Sequence, residues 1–293
     1  MNHLKYQTLL ATLALLSSLV TGAEAVADTA NAMPAPAALP DWQSLEFEQK
    51  NMWITASSTV TVEPCPSQAG NWQLSASGSV ARNSEQVELY FNAADGRALW
   101  RSRLGQGQEQ QRYKSWDFGT EHIVRERREP GADPALPPEQ WPLTSSRDIA
   151  YPPETAERVV TDAYGLLVLA DRFQSSAAEF AEVLVNSDFN FYRVRFSHVP
   201  AGSKGSIIDV NYQLAGESQP VTGKRDTHGV ALTISPVANN PDKADFSLLG
   251  LIDNIQLQFD AGTGLLLQLR GDAPKVGSSV INLKAATLRS PAP

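Results

Sequence analysis

From Leu45 onward, apolar and polar residues alternate in short runs broken by Gly, Asn and Asp. That two-residue period predicts strands over 45–54, 56–63, 72–80, 85–91, 97–104, 110–118 and 121–128. A second series follows over 182–187, 189–196, 206–214, 229–236, 254–259, 265–270 and 279–288. One segment has a different period. Between Thr161 and Phe173, the residues Ala163, Leu166, Leu167, Ala170 and Phe173 recur at helical spacing, widened by Val168 and Leu169. Thr161 is the expected N-cap, with Asp162 in the first turn, and the apolar stripe predicts a helix packed on a sheet. The fold class is therefore mainly β: a strongly curved antiparallel sheet or half-barrel with one helix near 161–173.

Two further patterns refine this. Residues 129–153 contain seven prolines (Pro130, Pro134, Pro137, Pro138, Pro142, Pro152 and Pro153). Proline cannot donate to a ladder, so the segment reads as a long irregular connection, anchored by Trp141. Separately, Val87-x-Leu89-x-Phe91-Asn92-Ala93-x-x-Gly96-x-x-Leu99 echoes Ile255-x-Leu257-x-Phe259-Asp260-Ala261-x-x-Gly264-x-x-Leu267. Both read as strand, Asn or Asp turn, glycine, strand. Shared hairpin chemistry and duplicated half-sheets each account for the echo.

The N-terminus sets the compartment. Lys5 precedes an apolar run from Leu9 to Val20, and Ala23-Glu24-Ala25 then offers the small-x-small site read by a signal peptidase. The run is shorter than the ~20 residues needed to span a bilayer. Residues 1–25 are expected to be a cleaved signal peptide and 26–41 an Ala/Pro-rich linker. Residues 42–290 would form a single β-rich domain, periplasmic or secreted. No second long apolar run follows, so a helical membrane protein is not expected. An outer-membrane barrel is the architectural rival, but its regular lipid-facing alternation fails in 110–118 and 206–214.

The net charge of −8 argues against nucleic acid as a partner. Cys65 is the only cysteine, which excludes an internal disulfide. His122, His198 and His228 lack metal-ligand spacing, and no nucleophile elbow or phosphate loop is present. No catalytic residue, metal or cofactor is expected.

Some stretches resemble an uncharacterised exported β-rich family of Gram-negative bacteria, a domain of unknown function. They are Leu89-Tyr90-Phe91 with Asp95-Gly96-Arg97, Arg101-Ser102-Arg103, Arg112-Tyr113-Lys114, Asp188-Phe189-Asn190-Phe191-Tyr192-Arg193, and Phe259-Asp260-x-x-Thr263-Gly264-Leu265. The resemblance spans roughly 42–290, and its motifs are hairpin and strand signatures. More loosely, a curved antiparallel sheet closed by a helix is similar to periplasmic lipoprotein carriers of the Lol class. The resemblance implies a β-rich fold and carries over no catalytic residue.

One constellation departs from the acidic background. Residues 97–128 hold eight cations against four acids, a net +4, which leaves −12 for the rest of the mature chain. Alternation places Arg101 with Arg103, Arg112 with Lys114, and Arg125 with Arg127 on one face of each strand. In register, these six would form a patch several strands wide, flanked by Trp100 and Trp116. Guanidinium forks on such a patch would bind phosphate or carboxylate groups. The competing reading is a cross-strand ladder of ion pairs with Glu109, Glu121, Glu126 and other carboxylates on a solvated sheet face.

The function expected from this is non-catalytic binding of an envelope amphiphile or acidic glycan at Arg101, Arg103, Arg112, Lys114, Arg125, Arg127, Trp100 and Trp116. Two alternatives stand beside it. One is a scaffold subunit that binds an envelope protein through a sheet edge or the Pro-rich loop. The other is an envelope hydrolase using dispersed carboxylates.

Overall fold

The computed structural model describes residues 39–51, 54–107, 110–131, 133, 135–156, 158–200, 202–203, 206–237 and 245–290. The expected signal peptide and most of the linker lie outside these residues, as do Trp53 and Glu109.

The first arm of the sheet is an up-and-down meander. It comprises β1 (Trp42–Asn51), β2 (Ile54–Pro64), β3 (Asn71–Val80), β4 (Asn83–Asn92), β5 (Ala98–Gln106), β6 (Gln111–Phe118), β7 (His122–Arg128) and β8 (Leu143–Ala150). The second arm contains β9 (Val160–Thr161), the helix α1 (Gly165–Gln174), β10 (Phe180–Ser187), β11 (Asn190–His198), β12 (Ile207–Leu214), β13 (Val221–Pro236), β14 (Asp253–Asp260), β15 (Leu266–Ala273) and β16 (Gly277–Leu288). β1 pairs antiparallel with β16 and joins the arms into one sheet, which runs from β8 at one end to β9 at the other. β12 pairs antiparallel with β13 and parallel with β16, so β12 to β16 close a five-stranded ring within the larger sheet.

The alternation read from the sequence is what builds the core. In β3, Trp72, Leu74 and Ala76 point inward; in β4, Val87, Leu89 and Phe91 do the same. Against this face lies α1, in which Leu166, Leu167, Val168, Leu169, Ala170 and Phe173 are all buried. Strands β10, β14 and β15 instead carry consecutive buried residues, as strands covered on both faces do.

Three elements differ from the sequence reading. The helix begins at Gly165 rather than beside Thr161. Thr161 is fully buried in β9, which pairs parallel with β10, and Asp162 accepts a hydrogen bond from the Tyr164 amide at 2.8 Å. The segment 129–153 is not wholly irregular. Its proline-free stretch forms β8, whose position at the end of the sheet leaves one side of its backbone needing no partner. The loop before it is anchored as expected: Trp141 is buried and donates from Nε1 to the Leu136 carbonyl at 2.8 Å. Finally, β13 starts eight residues earlier than its apolar half suggests. Its first part, Val221–Asp226, pairs with β12 and is exposed from Thr222 to Asp226, so it lacks apolar alternation, while β12 buries Ile208 and Tyr212.

Candidate functional site

Register decides how the cations of the first arm are arranged. Arg101 of β5 lies opposite Leu89 on one side and Trp116 on the other; Trp116 lies opposite Arg125, and Arg125 opposite Arg147. The next row along the strands runs Val87, Arg103, Lys114, Arg127 and Ser145, and beyond it Arg112 lies opposite Gly105 and Gly105 opposite Glu85. Residues opposite one another across a ladder share a face. All six expected cations therefore stand on the inner face, the one carrying Leu89, and Arg147 of β8 joins them.

Neither of the first two rows contains an acid. Directly opposed like charges destabilise a sheet, and here the counter-ions of Arg101, Lys114 and Arg125 arrive from outside the meander. Asp162, just before α1, pairs with Arg101, which also donates to the Asn186 carbonyl at 3.1 Å. Asp188, in the two-residue turn joining β10 to β11, accepts from Lys114 Nζ at 2.9 Å through Oδ2 and from Arg125 Nε at 2.8 Å through Oδ1. The Asp188 carbonyl accepts from Trp116 Nε1 at 3.1 Å. These contacts join the second arm to the cationic face of the first.

Burial divides the face. Arg101 and Arg125 are 6% and 4% exposed. The Arg101 guanidinium lies 3.6 Å from the centre of the Trp116 ring, a close cation–π stack. Nearer solvent, Arg103 pairs with Glu85 at 2.5 Å, while Arg112 and Arg127 share Glu129. Arg147 is exposed and faces the Phe189 ring at 5.4 Å, with Arg125 at 4.3 Å from the same ring. Among the described residues, seven cations on this face thus meet four carboxylates (Glu85, Glu129, Asp162 and Asp188), an excess of three positive charges.

The crowding of cations shows in the ionisation of the groups involved. Burial pulls the Lys114 ammonium below its ordinary pKa, and Arg125 and Arg103 push the same way against Asp188. Burial would raise Asp188, but Lys114 and Arg125 override it and hold its carboxyl below the usual carboxylate range. Two guanidinium donors on the face, Nε of Arg101 and Nε of Arg127, are buried and have no acceptor.

Seven of the eight expected site residues are brought together. Trp100 is not among them. It alternates to the other face, where it packs against Tyr90 at 5.4 Å between ring centres. The competing ion-pair reading holds in part: Arg103 pairs with Glu85 of the neighbouring strand and Arg112 and Arg127 with Glu129, whereas Glu126 lies on the outer face and pairs there with Arg128, and Glu109 lies outside the described residues. Arg147, Phe189, Asp162 and Asp188 were not anticipated as site residues. Arg147 was hidden by the prolines around β8. The two acids come from distant positions, and only the fold brings them to the strip. The sole local signal for Asp188 is its place in a two-residue turn between apolar runs.

No family model matches the chain, and no curated protein matches it. Among solved structures it is similar to a β-barrel-like protein of a domain of unknown function, DUF1849, from Brucella abortus. That likeness has 8% identity and a TM-score of 0.45, and covers 88% of this chain and 100% of that one. It is also similar to a porin-like protein from Bacteroides uniformis, at 7% identity and a TM-score of 0.22 over 84% of this chain and 97% of that one. At these scores neither comparison bears on what the protein binds.

Proposed function

We propose that this chain is an exported, non-catalytic protein that holds the anionic part of an envelope amphiphile or acidic glycan on the cationic strip of β5 to β8. The observation that carries the reading is the register, which sets cations from four neighbouring strands on one inner face in rows without an acid. A sheet gains no stability from opposing like charges, and the positive charge left over after the chain's own carboxylates are paired favours an anion supplied from elsewhere. Guanidinium forks suit phosphate and carboxylate groups. The strip also borders apolar side chains, Ile123 and Ile149 in the row beyond Arg125, which suits a ligand with an apolar part. The signal-peptide pattern at residues 1–25 supports an envelope source for such a ligand.

The test is native mass spectrometry of the protein after gentle purification from its own envelope, followed by exposure to lipid and glycan extracts. A bound mass is the expected result; a clean apo mass that no extract changes would overturn the reading.

A second reading has one observation of its own. β8 ends the sheet path and most of its residues are exposed, so its free edge could take a strand from another envelope protein. A pull-down from periplasm that loses its partner when β8 carries a proline at Ser146 would favour this scaffold role.

A further inference from the structure

The tip of the β10–β11 hairpin has the chemistry of a ligand. It brings one carboxylate and one apolar ring into the strip. Asp188 presents its two oxygens to two different cations, and Phe189 lies against the guanidinium of Arg125 while remaining 39% exposed. The backbone at Asp188 has φ +50°, the left-handed region that primed hairpin turns demand and that glycine or asparagine occupies more easily. Aspartate is among the few side chains that tolerate this region, and here its carboxylate meets Lys114 and Arg125.

A carboxylate is an incomplete partner for this site. It satisfies Lys114 and Arg125 with its two oxygens, and Arg127, directly opposite Lys114 in the ladder, still has a buried Nε without an acceptor. Arg103 lies opposite Lys114 on the other side. An anion with three terminal oxygens would serve these donors better than one with two.

We propose that Asp188 and Phe189 are the resident occupant of an anion site whose exogenous ligand is a phosphate monoester bearing an apolar group. This rests on the binding reading above and names its ligand class. The phosphate takes the place of the Asp188 carboxylate between Lys114 and Arg125, and the apolar group takes the place of the Phe189 ring. The hairpin tip is then a competitor that incoming ligand displaces. No covalent step is involved.

The experiment compares thermal unfolding of the wild type, Asp188→Asn and Asp188→Gly at constant ionic strength. Asparagine keeps the shape of the side chain without its charge, and glycine suits the positive φ while emptying the site. The probes are inorganic phosphate, monohexyl phosphate and hexanol. Both variants should melt below the wild type in chloride alone, because Lys114 and Arg125 lose their counter-ion. Phosphate should restore the loss in a concentration-dependent way. Monohexyl phosphate should act at about tenfold lower concentration than inorganic phosphate, a difference of about 1.4 kcal/mol. Hexanol alone should do nothing, and the wild type should respond more weakly to both phosphates. Equal potency of the two phosphates would overturn the apolar part of the ligand assignment. Variants that no phosphate restores, or a wild type that responds as strongly as they do, would overturn the anion site. If the wild type carries an envelope ligand in native mass spectrometry while the variants ignore phosphate, this inference fails alone. If phosphate restores the variants but the wild type never takes up an envelope ligand, the proposed function fails and the anion site stands.

Discussion

Two acids, Asp162 buried and Asp171 half-buried, show how differently one residue type can be used in this chain. Asp162 has a cation beside it. Substituting Asp162→Asn leaves the Arg101 guanidinium buried without a counter-ion, and uncompensated charges of this kind cost about 3–5 kcal/mol. Urea unfolding of that variant should show such a loss, whereas the double replacement Arg101→Met with Asp162→Leu should restore much of it. Asp171 of α1 has no ion pair. Burial, aided by Asp41 and opposed by the hydrogen bond from Trp42 Nε1 at 3.2 Å, pushes its carboxyl up to about 7. The folded state therefore keeps a proton that the unfolded chain gives up near pH 4. Stability is fully present below that pH and falls as pH rises toward 7, by at most about 4 kcal/mol. Asp171→Asn retains an acceptor for Trp42 and cannot ionise. Melting curves between pH 4 and 8 should show a flatter profile for this variant and a higher melting temperature than the wild type at pH 8.

At the scale of elements, the two hairpins that echo each other in sequence share one geometry. In β4–β5, the Gly96 amide bonds the Asn92 carbonyl and Gly96 has φ +80°; in β14–β15, the Gly264 amide bonds the Asp260 carbonyl and Gly264 has φ +71°. Both turns meet α1. A Cβ on Gly96 would come within 2.7 Å of Leu169 Cδ2, and the Gly264 carbonyl accepts from Gln174 Nε2 at 2.8 Å. Gly96→Ala should therefore cost more than backbone strain alone, which is about 1–3 kcal/mol. Gly70→Ala, at φ +84° but with open space around it, should cost only the strain. Denaturant unfolding of the two variants side by side separates these terms. The hairpins were legible because their turn residues and alternating flanks carry the information locally. The start of α1 was not, since Thr161 has the chemistry of a cap but is drawn into β9 by pairing with Val185. β8 was missed for the converse reason: the prolines on either side of it read as loop, and only its neighbour β7 supplies the ladder that makes it a strand.

On the scale of the whole molecule, the cationic strip is where the arms of the sheet meet. The first arm supplies cations in acid-free rows; the second supplies Asp162 and Asp188 from either end of the α1–β10 segment. Alternation along β5, β6 and β7 was enough to place Arg101, Arg103, Arg112, Lys114, Arg125 and Arg127 on common faces. The counter-ions of Arg101, Lys114 and Arg125 depend on tertiary pairing across 61 to 74 residues, which no local pattern encodes. The strip should accordingly have two layers: an inner one, Arg101 and Arg125, whose loss destabilises the fold, and an outer one, Arg103, Arg112 and Arg127, whose loss leaves folding intact. Surface pairs such as those of the outer layer contribute about 0–1 kcal/mol each.

That separation makes the outer layer the place to test the account. The decisive measurement is ligand loading from a mixed lipid and acidic-glycan extract, compared by native mass spectrometry for the wild type and the triple variant Arg103→Gln, Arg112→Gln, Arg127→Gln at low and high salt. Binding to the strip requires the wild type to load an anionic species, less so at high salt, and the variant to keep its melting temperature while loading about tenfold less, a difference of about 1.4 kcal/mol. A variant that loads the same species to the same extent, with the same response to salt, would contradict it.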